Sequence, residues 1–254
     1  MHLDLEGKSY SKLILLNSGY IVVCMLLAFP IAKIFRLSLR FRSSLFLILS
    51  FGNVAYLGIP VLNNAFGDEI LPVAAIISAV YIFWMLTLGI FLIEINGPNR
   101  LNWKKLILSL TQNPLLFSVF AGLFIVVFQI QLPVVIEKTI VLFSNSVTAV
   151  VLFSLGIFLG LHNAGNAREW IKVFVLSVVT MLVLPAAFFL IAKNTGLETP
   201  QLKATILDAA MPLGVTPYAL SVQYKLETTL FARVVVLATL LSIFILPLWM
   251  VILE

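Results

Sequence analysis

Phe51-Gly-Asn-Val-Ala-Tyr-Leu-Gly-Ile-Pro60 interrupts one apolar run of this chain, and Asp208-Ala-Ala-Met-Pro-Leu-Gly-Val-Thr-Pro217 interrupts another. Proline cannot donate the backbone bond that a helix interior needs, and glycine loosens what remains. In lipid, freed backbone groups are tolerated only where protein or a water-filled cavity covers them. A matched pair of Gly/Pro-interrupted spans is the best sequence pointer to the binding site of a secondary transporter. The two interruptions therefore predict a membrane protein whose site lies where the breaks face each other.

Composition agrees. Of 254 residues, 61% are hydrophobic and 11% charged, with a mean hydropathy of +1.12; soluble domains carry about 25% charged residues. A globular core cannot absorb so much apolar sequence. The net charge of +5 fits basic cytoplasmic loops better than nucleic-acid binding, because basic runs with interleaved aromatics are absent from the sequence. A lone cysteine, Cys24, excludes an internal disulfide and a cysteine-based metal site. It reads as a small buried hydrophobe. A cleavable signal peptide is not expected, because the first apolar stretch is long enough to span.

A membrane span needs about 20 mostly apolar residues. Eight stretches qualify, at roughly 12–34, 43–65, 69–94, 106–130, 133–161, 169–192, 200–223 and 228–253. The fold class expected is all-α integral membrane, with residues 1–254 forming a single membrane domain. Lys33, Arg36, Arg40, Arg42, Arg100, Lys104, Lys105, Arg168, Lys172, Lys225 and Arg233 fall in or beside alternate connections. Lys8, Lys12, Lys138, Lys193 and Lys203 fall on the other side. The excess of eleven over five places the first group in the cytoplasm and both termini outside a cell membrane.

An internal repeat supports this plan. Val22-Val-Cys-Met-Leu-Leu-Ala-Phe-Pro30 is similar to Val178-Val-Thr-Met-Leu-Val-Leu-Pro185 with a one-residue gap. Pro30 and Pro185 are 155 residues apart, and Pro60 and Pro217 are 157 apart. Spans one to three thus recur as six to eight, five helices later, and an odd number of helices inverts the second copy. Residues 12–94 form a partial first repeat of three helices, and 106–253 a second, inverted repeat of five. Two copies of about 155 residues need roughly 310, so about two helices are missing before the first span.

Particular side chains carry the functional expectation. Asn53 sits at the first break, where its amide can bind a carboxylate, line an ion site or satisfy freed backbone groups. Gly58, Pro60, Pro212, Gly214 and Pro217 are expected to create the breaks, leaving half-helix N-termini suited to an anion. Asp208 is the sole acid well inside a span. It is read as a proton carrier, a contact for a coupling cation, or an acid held at a wet helix edge. Thr216, Tyr218, Ser221, Gln223 and Tyr224 form a polar stretch that lines the cavity or bonds helices together. The substrate-site candidates are Asn53, Gly58, Pro60, Asp208, Pro212, Gly214, Thr216, Pro217 and Ser221. Asn113 is expected to cap the fourth span, and the four tryptophans to lie mostly near the interfaces. His2 and His162 lack metal-ligand neighbours at useful spacing.

At these residues the chain resembles the auxin efflux carrier family, in its bacterial-type form. The resemblance rests on Asn53 with Gly58-Ile59-Pro60; on Asn113-Pro114 followed by Gly122; on Leu155-Gly156 and Leu159-Gly160; and on Ala209-Ala-Met-Pro-Leu-Gly-Val-Thr-Pro217 followed by Tyr224. It implies ten helices in two inverted repeats of five, with broken helices crossing near the midplane, and a transport domain moving against a dimer-forming scaffold. On that plan the chain matches helices three to ten. The resemblance also implies that Asn53 contacts substrate. The function expected is secondary active, alternating-access transport of small organic anions such as malate or malonate, with substrate between the crossovers. No cofactor is expected beyond a proton or sodium gradient; the partners are the substrate, lipid and a homodimer mate. A truncated remnant, an accessory subunit and a leaky channel are the alternatives. An enzyme is not expected, since Gly-x-Ser-x-Gly, His-Glu-x-x-His and nucleotide-binding motifs are all absent from the sequence.

Overall fold

A computed structural model describes residues 10–96, 117–118, 121–122, 124–125, 128, 130–161 and 166–254. Among these, all regular structure is helical. The helices are α1 (Ser11–Ile34), α2 (Leu39–Ile48), α3 (Val54–Phe66), α4 (Asp68–Ile95), α5 (Val134–Leu161), α6 (Ala167–Ala192), α7 (Thr199–Ala209), α8 (Val215–Gln223) and α9 (Thr228–Leu253). Four of them, α1, α4, α6 and α9, are long and apolar enough to cross a membrane. The second and seventh expected spans are each split, into α2 and α3 and into α7 and α8. Most of the fourth expected span, with Asn113, Pro114 and Trp103, lies outside the described residues, as do His2 and His162.

Proline acts differently from site to site. Pro185 lacks the N–H that would bond the carbonyl four residues earlier, which belongs to Met181. The α6 helix responds with a π-helical turn over Val179–Val183. The freed Met181 carbonyl then accepts a bond from Trp249 Nε1 of α9 at 2.9 Å. Trp249 is therefore buried and bonded inside the bundle, which corrects its reading as an interfacial anchor. Pro30 sits within an unbroken α1.

The short α7 helix lies at the centre, packed against α1, α3, α4, α6 and α9. Residues 204–215 are buried without a gap. Around it, apolar side chains such as Leu15 and Val23 of α1, Phe174 of α6 and Phe244 and Val251 of α9 face outward. In water such a surface would be costly; in lipid it is the expected exterior.

One end of the bundle gathers the basic connections. Arg40 reaches the loop before α9, donating to the Leu226 carbonyl at 2.7 Å and approaching Glu227 at 3.4 Å. Arg42 bonds Asn96 just after α4 and lies over the Phe29 ring. Arg233 pairs with Glu169 at the start of α6 at 2.5 Å and lies over Trp170. Among the described residues, the helix ends that flank these connections thus meet at one end of the molecule.

Replacing Trp249 with Phe leaves the Met181 carbonyl without its donor. The expected cost is about 1–3 kcal/mol, read as a lower thermal midpoint of the detergent-solubilised protein. An unchanged midpoint would mean that Pro185 is accommodated without the indole.

Candidate functional site

The two gaps in the split spans meet face to face. Gly52 and Leu213 stand opposite each other as an antiparallel pair. The Asn53 amide donates to the Pro212 carbonyl at 2.7 Å, and the Gly214 amide donates to the Phe51 carbonyl at 3.2 Å. Each unwound strip supplies what the other lost, so neither leaves these backbone groups bare in lipid. The arrangement has local two-fold character. On each side a helix ends four residues before the paired residue, at Ile48 and Ala209, and another begins two residues after it, at Val54 and Val215.

Close approach sets the residue types here. A Cβ on Gly52 would lie 2.9 Å from the Met211 carbonyl oxygen, and one on Gly214 would lie 3.1 Å from the Gly52 oxygen. Gly58 is needed for a third reason, because the Asp208 carboxylate packs directly onto its backbone.

The structure confines the first break to the beginning of the quoted stretch and the residues just before it. Gly58 and Pro60 were expected to open it, yet the gap falls at Leu49–Asn53 and both residues lie inside α3. Their local effect is the π-helical turn at Val54–Gly58. In the second segment the expectation holds at Pro212 and Gly214, which lie between α7 and α8. Pro217 is the third residue of α8, where the first turn tolerates it. Pro60 and Pro217 thus stand at different depths in their half-helices, and the paired residues Gly52 and Leu213 mark the equivalent positions.

A cavity of about 200 Å³ lies beside the crossing. It is lined by Asn53, the first turn of α3 at Val54–Tyr56, and Gly214, Thr216 and Pro217 at the start of α8. Its other walls include Phe51, Tyr81, Met85 and Leu86. The first backbone N–H groups of a helix have no partner within it and carry partial positive charge. Two such ends converge here. Asn53 occupies the N-cap of α3, yet its side chain makes no capping bond, which leaves its amide for a ligand. Charged side chains are absent from the cavity lining among the described residues.

Of the nine candidates, Asn53, Gly214, Thr216 and Pro217 line the cavity. Pro212 contributes the carbonyl that ties the crossing. Pro60 lies beyond the cavity in α3. Ser221 is buried and donates to the Tyr218 carbonyl at 2.6 Å, a helix-end role. Asp208 is fully buried in α7, behind Gly58. Sequence reasoning missed Tyr81, Met85 and Tyr56. Tyr81 had a signal: with Ser78 and Met85 it forms an i, i+3, i+7 set in an otherwise apolar span.

These features define a class, the multi-span α-helical transporters with broken crossing helices. The chain belongs to the membrane transport protein family, whose model matches residues 8–250. It is 25% identical over 228 residues to an uncharacterised transporter of Methanocaldococcus jannaschii, covering 88% of this chain and 73% of that one. It is 26% identical over 145 residues to auxin efflux carrier component 1 of Arabidopsis thaliana and 28% identical over 145 residues to auxin efflux carrier component 3a of Oryza sativa subsp. japonica. Each alignment covers 56% of this chain and 23% of the plant protein. The chain thus spans about a quarter of the length of those plant carriers. The family is one of transporters and not of enzymes.

Two glycine substitutions separate the contacts. Gly58→Ala drives a methyl group into Asp208, and Gly52→Ala drives one into backbone at Met211. Each should cost about 1–3 kcal/mol. In a double-mutant cycle, Asp208→Ala should recover most of the loss from Gly58→Ala and none of that from Gly52→Ala. Equal recovery of both would mean that the carboxylate does not press on α3.

Proposed function

We propose that this chain is a secondary active carrier of small organic anions that binds its substrate in the cavity between the crossing segments. One observation carries the reading. Asn53 and the N-terminal turns of α3 and α8 line one cavity whose remaining walls are largely apolar. A carboxylate suits those turns, because it accepts several N–H bonds and complements two helix dipoles. The substrate's apolar body suits the walls at Phe51, Met85 and Leu86. Membership in a transporter family supports the reading, as does auxin, an organic acid, in the names of the plant relatives. Carboxylates such as malate or malonate belong in the first test panel.

The architecture supports alternating access. The site is made from two segments held together by backbone bonds, so the paired crossing can move as a unit against the surrounding helices and expose the cavity to either side. We place the basic end in the cytoplasm, in accord with the excess of Lys and Arg there, with the cell membrane as the site of action. Residues 12–94 and 106–253 are proposed as the two inverted repeats, and a homodimer as the assembly.

Counterflow of labelled organic acids in proteoliposomes tests the proposal. Saturable exchange is expected from the native chain. Asn53→Ala removes an amide bond to a charged group, for which about 1.5–3 kcal/mol is typical, so exchange at low substrate should fall roughly 10- to 100-fold with the folded protein retained. Undiminished exchange in Asn53→Ala would remove this residue from the site, and non-saturating flux without counterflow would indicate a channel.

A further inference from the structure

Asp208 makes no contact with the cavity that Asn53 lines, and its setting is unusual. It is fully buried in α7, and neither carboxylate oxygen has a hydrogen-bond partner among the described residues. One face of the carboxyl group packs on the Gly58 backbone, at the junction where the π-helical turn of α3 passes into its α-helical part. An unpaired charge cannot be held there without a compensating group, whereas a carboxyl can take up a proton and become neutral.

A second unpartnered group stands nearby. The Tyr81 hydroxyl of α4 is buried without a hydrogen-bond partner among the described residues, and α4 packs directly on α7, the helix that carries Asp208. Tyr81 also lines the substrate cavity. It lines in addition a void of about 10 Å³, together with Ser50 and Thr180, against the ends of α2 and α7. That is about the space of one water. One phenol thus touches the cavity on one side and a water-sized space on the other, and that space also meets Ala209, the residue after Asp208.

The remaining charged and titratable groups on the elements around α7 are engaged elsewhere or lie at the surface. Arg233 of α9 is held by Glu169 and Trp170. Lys203 of α7 lies over Phe66. Asp68 and Glu69 of α4, Lys193 after α6, and Lys12 and Lys33 of α1 are exposed. Tyr20 of α1 stacks on Phe188, and Cys24 of α1 is a buried free thiol.

We propose that Asp208 is a proton-binding site of the carrier, separate from the substrate cavity and reached from it through Tyr81. The proposal rests on the carrier reading above. One proton is taken up by an Asp208 oxygen from one side of the membrane and released to the other, with no other bond made or broken. The site couples because of where it sits. The neutral carboxyl group fits between α7 and Gly58 of α3, while the charged form demands water or a donor and so opens that contact. Protonation therefore favours one packing of α3 on α7, the two segments whose crossing shapes the substrate cavity.

Two readouts test this, and the first needs no substrate. Infrared difference spectra of the membrane-reconstituted protein, recorded across a pH change, should show the carbonyl stretch of a protonated carboxyl group that disappears in Asp208→Asn. Tyr81→Phe should shift that band. The second readout is uptake of organic acids driven by an imposed pH gradient. In Asp208→Asn, whatever uptake remains should lose its response to the gradient, and Asp208→Glu should restore it. Absence of the band from the native protein at every pH, or a full gradient response in Asp208→Asn, would overturn the proposal. A native protein that shows the band but exchanges no organic acid would overturn the carrier reading and leave the proton site standing.

Discussion

Two backbone hydrogen bonds, from Asn53 to Pro212 and from Gly214 to Phe51, are the constraint on which the rest of the structure depends. Hydrocarbon offers nothing to an unpaired amide or carbonyl, so a helix broken in a membrane must find partners in protein. Here each break finds them in the other. That solution requires two segments to meet antiparallel with almost no side chain between them, which is why glycines stand at 52 and 214. It also requires α7 to run through the middle of the bundle. The continuous burial of residues 204–215 follows from that position, and the long helices α1, α4, α6 and α9 are left to meet the lipid.

The same constraint builds the cavity. Unwinding ends one helix and starts another, and a start exposes N–H groups that the helix itself cannot satisfy. Two starts brought together by the pairing put their positive ends at one place. A chain with no charged side chain at the described cavity wall can still favour an anion in this way, without the desolvation cost of a buried lysine or arginine. Pro185 and Trp249 show the same logic at smaller scale, where one freed carbonyl is met by one indole from the neighbouring helix.

Much of the fold was legible because lipid restricts the options so strongly. Hydropathy located the seven helical stretches, two of them split, that lie wholly or largely within the described residues, four of the helices being long and apolar enough to cross a membrane. Lys and Arg placement grouped connections whose described ends meet. The second break was legible from Pro212 and Gly214. The first was legible at Asn53 but attributed to Gly58 and Pro60, whereas the chain unwinds at Leu49–Asn53, a stretch without proline. No local propensity dictates that gap. It exists because Gly52 lets the Met211 carbonyl approach, a tertiary fact. Asn53 was found because an amide at a break is chemically conspicuous. Tyr81 was overlooked because a tyrosine inside an apolar span looks like packing until its position in space shows two cavities against one ring. Trp249 misled for the reverse reason: tryptophan in a membrane suggests the interface, and its bond to Met181 becomes apparent only once the carbonyl freed by Pro185 is placed beside it.

Asp208 shows how the structure separates two readings that the sequence left together, a substrate contact and a proton carrier. An acid inside a span is costly enough to demand a function, and its nearness in sequence to Pro212 suggested the substrate site. One helical turn separates the two, however, and on a buried helix that turn decides which side of the crossing a residue occupies. Pro212 lies in the unwound strip, where backbone pairs with backbone. Asp208 is still helical and meets α3 at Gly58. An anionic side chain in the cavity would oppose the anion binding proposed for two helix starts. Placed behind the crossing, the same carboxyl group can change its charge without occupying the substrate's space, and it can act on that space through the packing of α3 against α7.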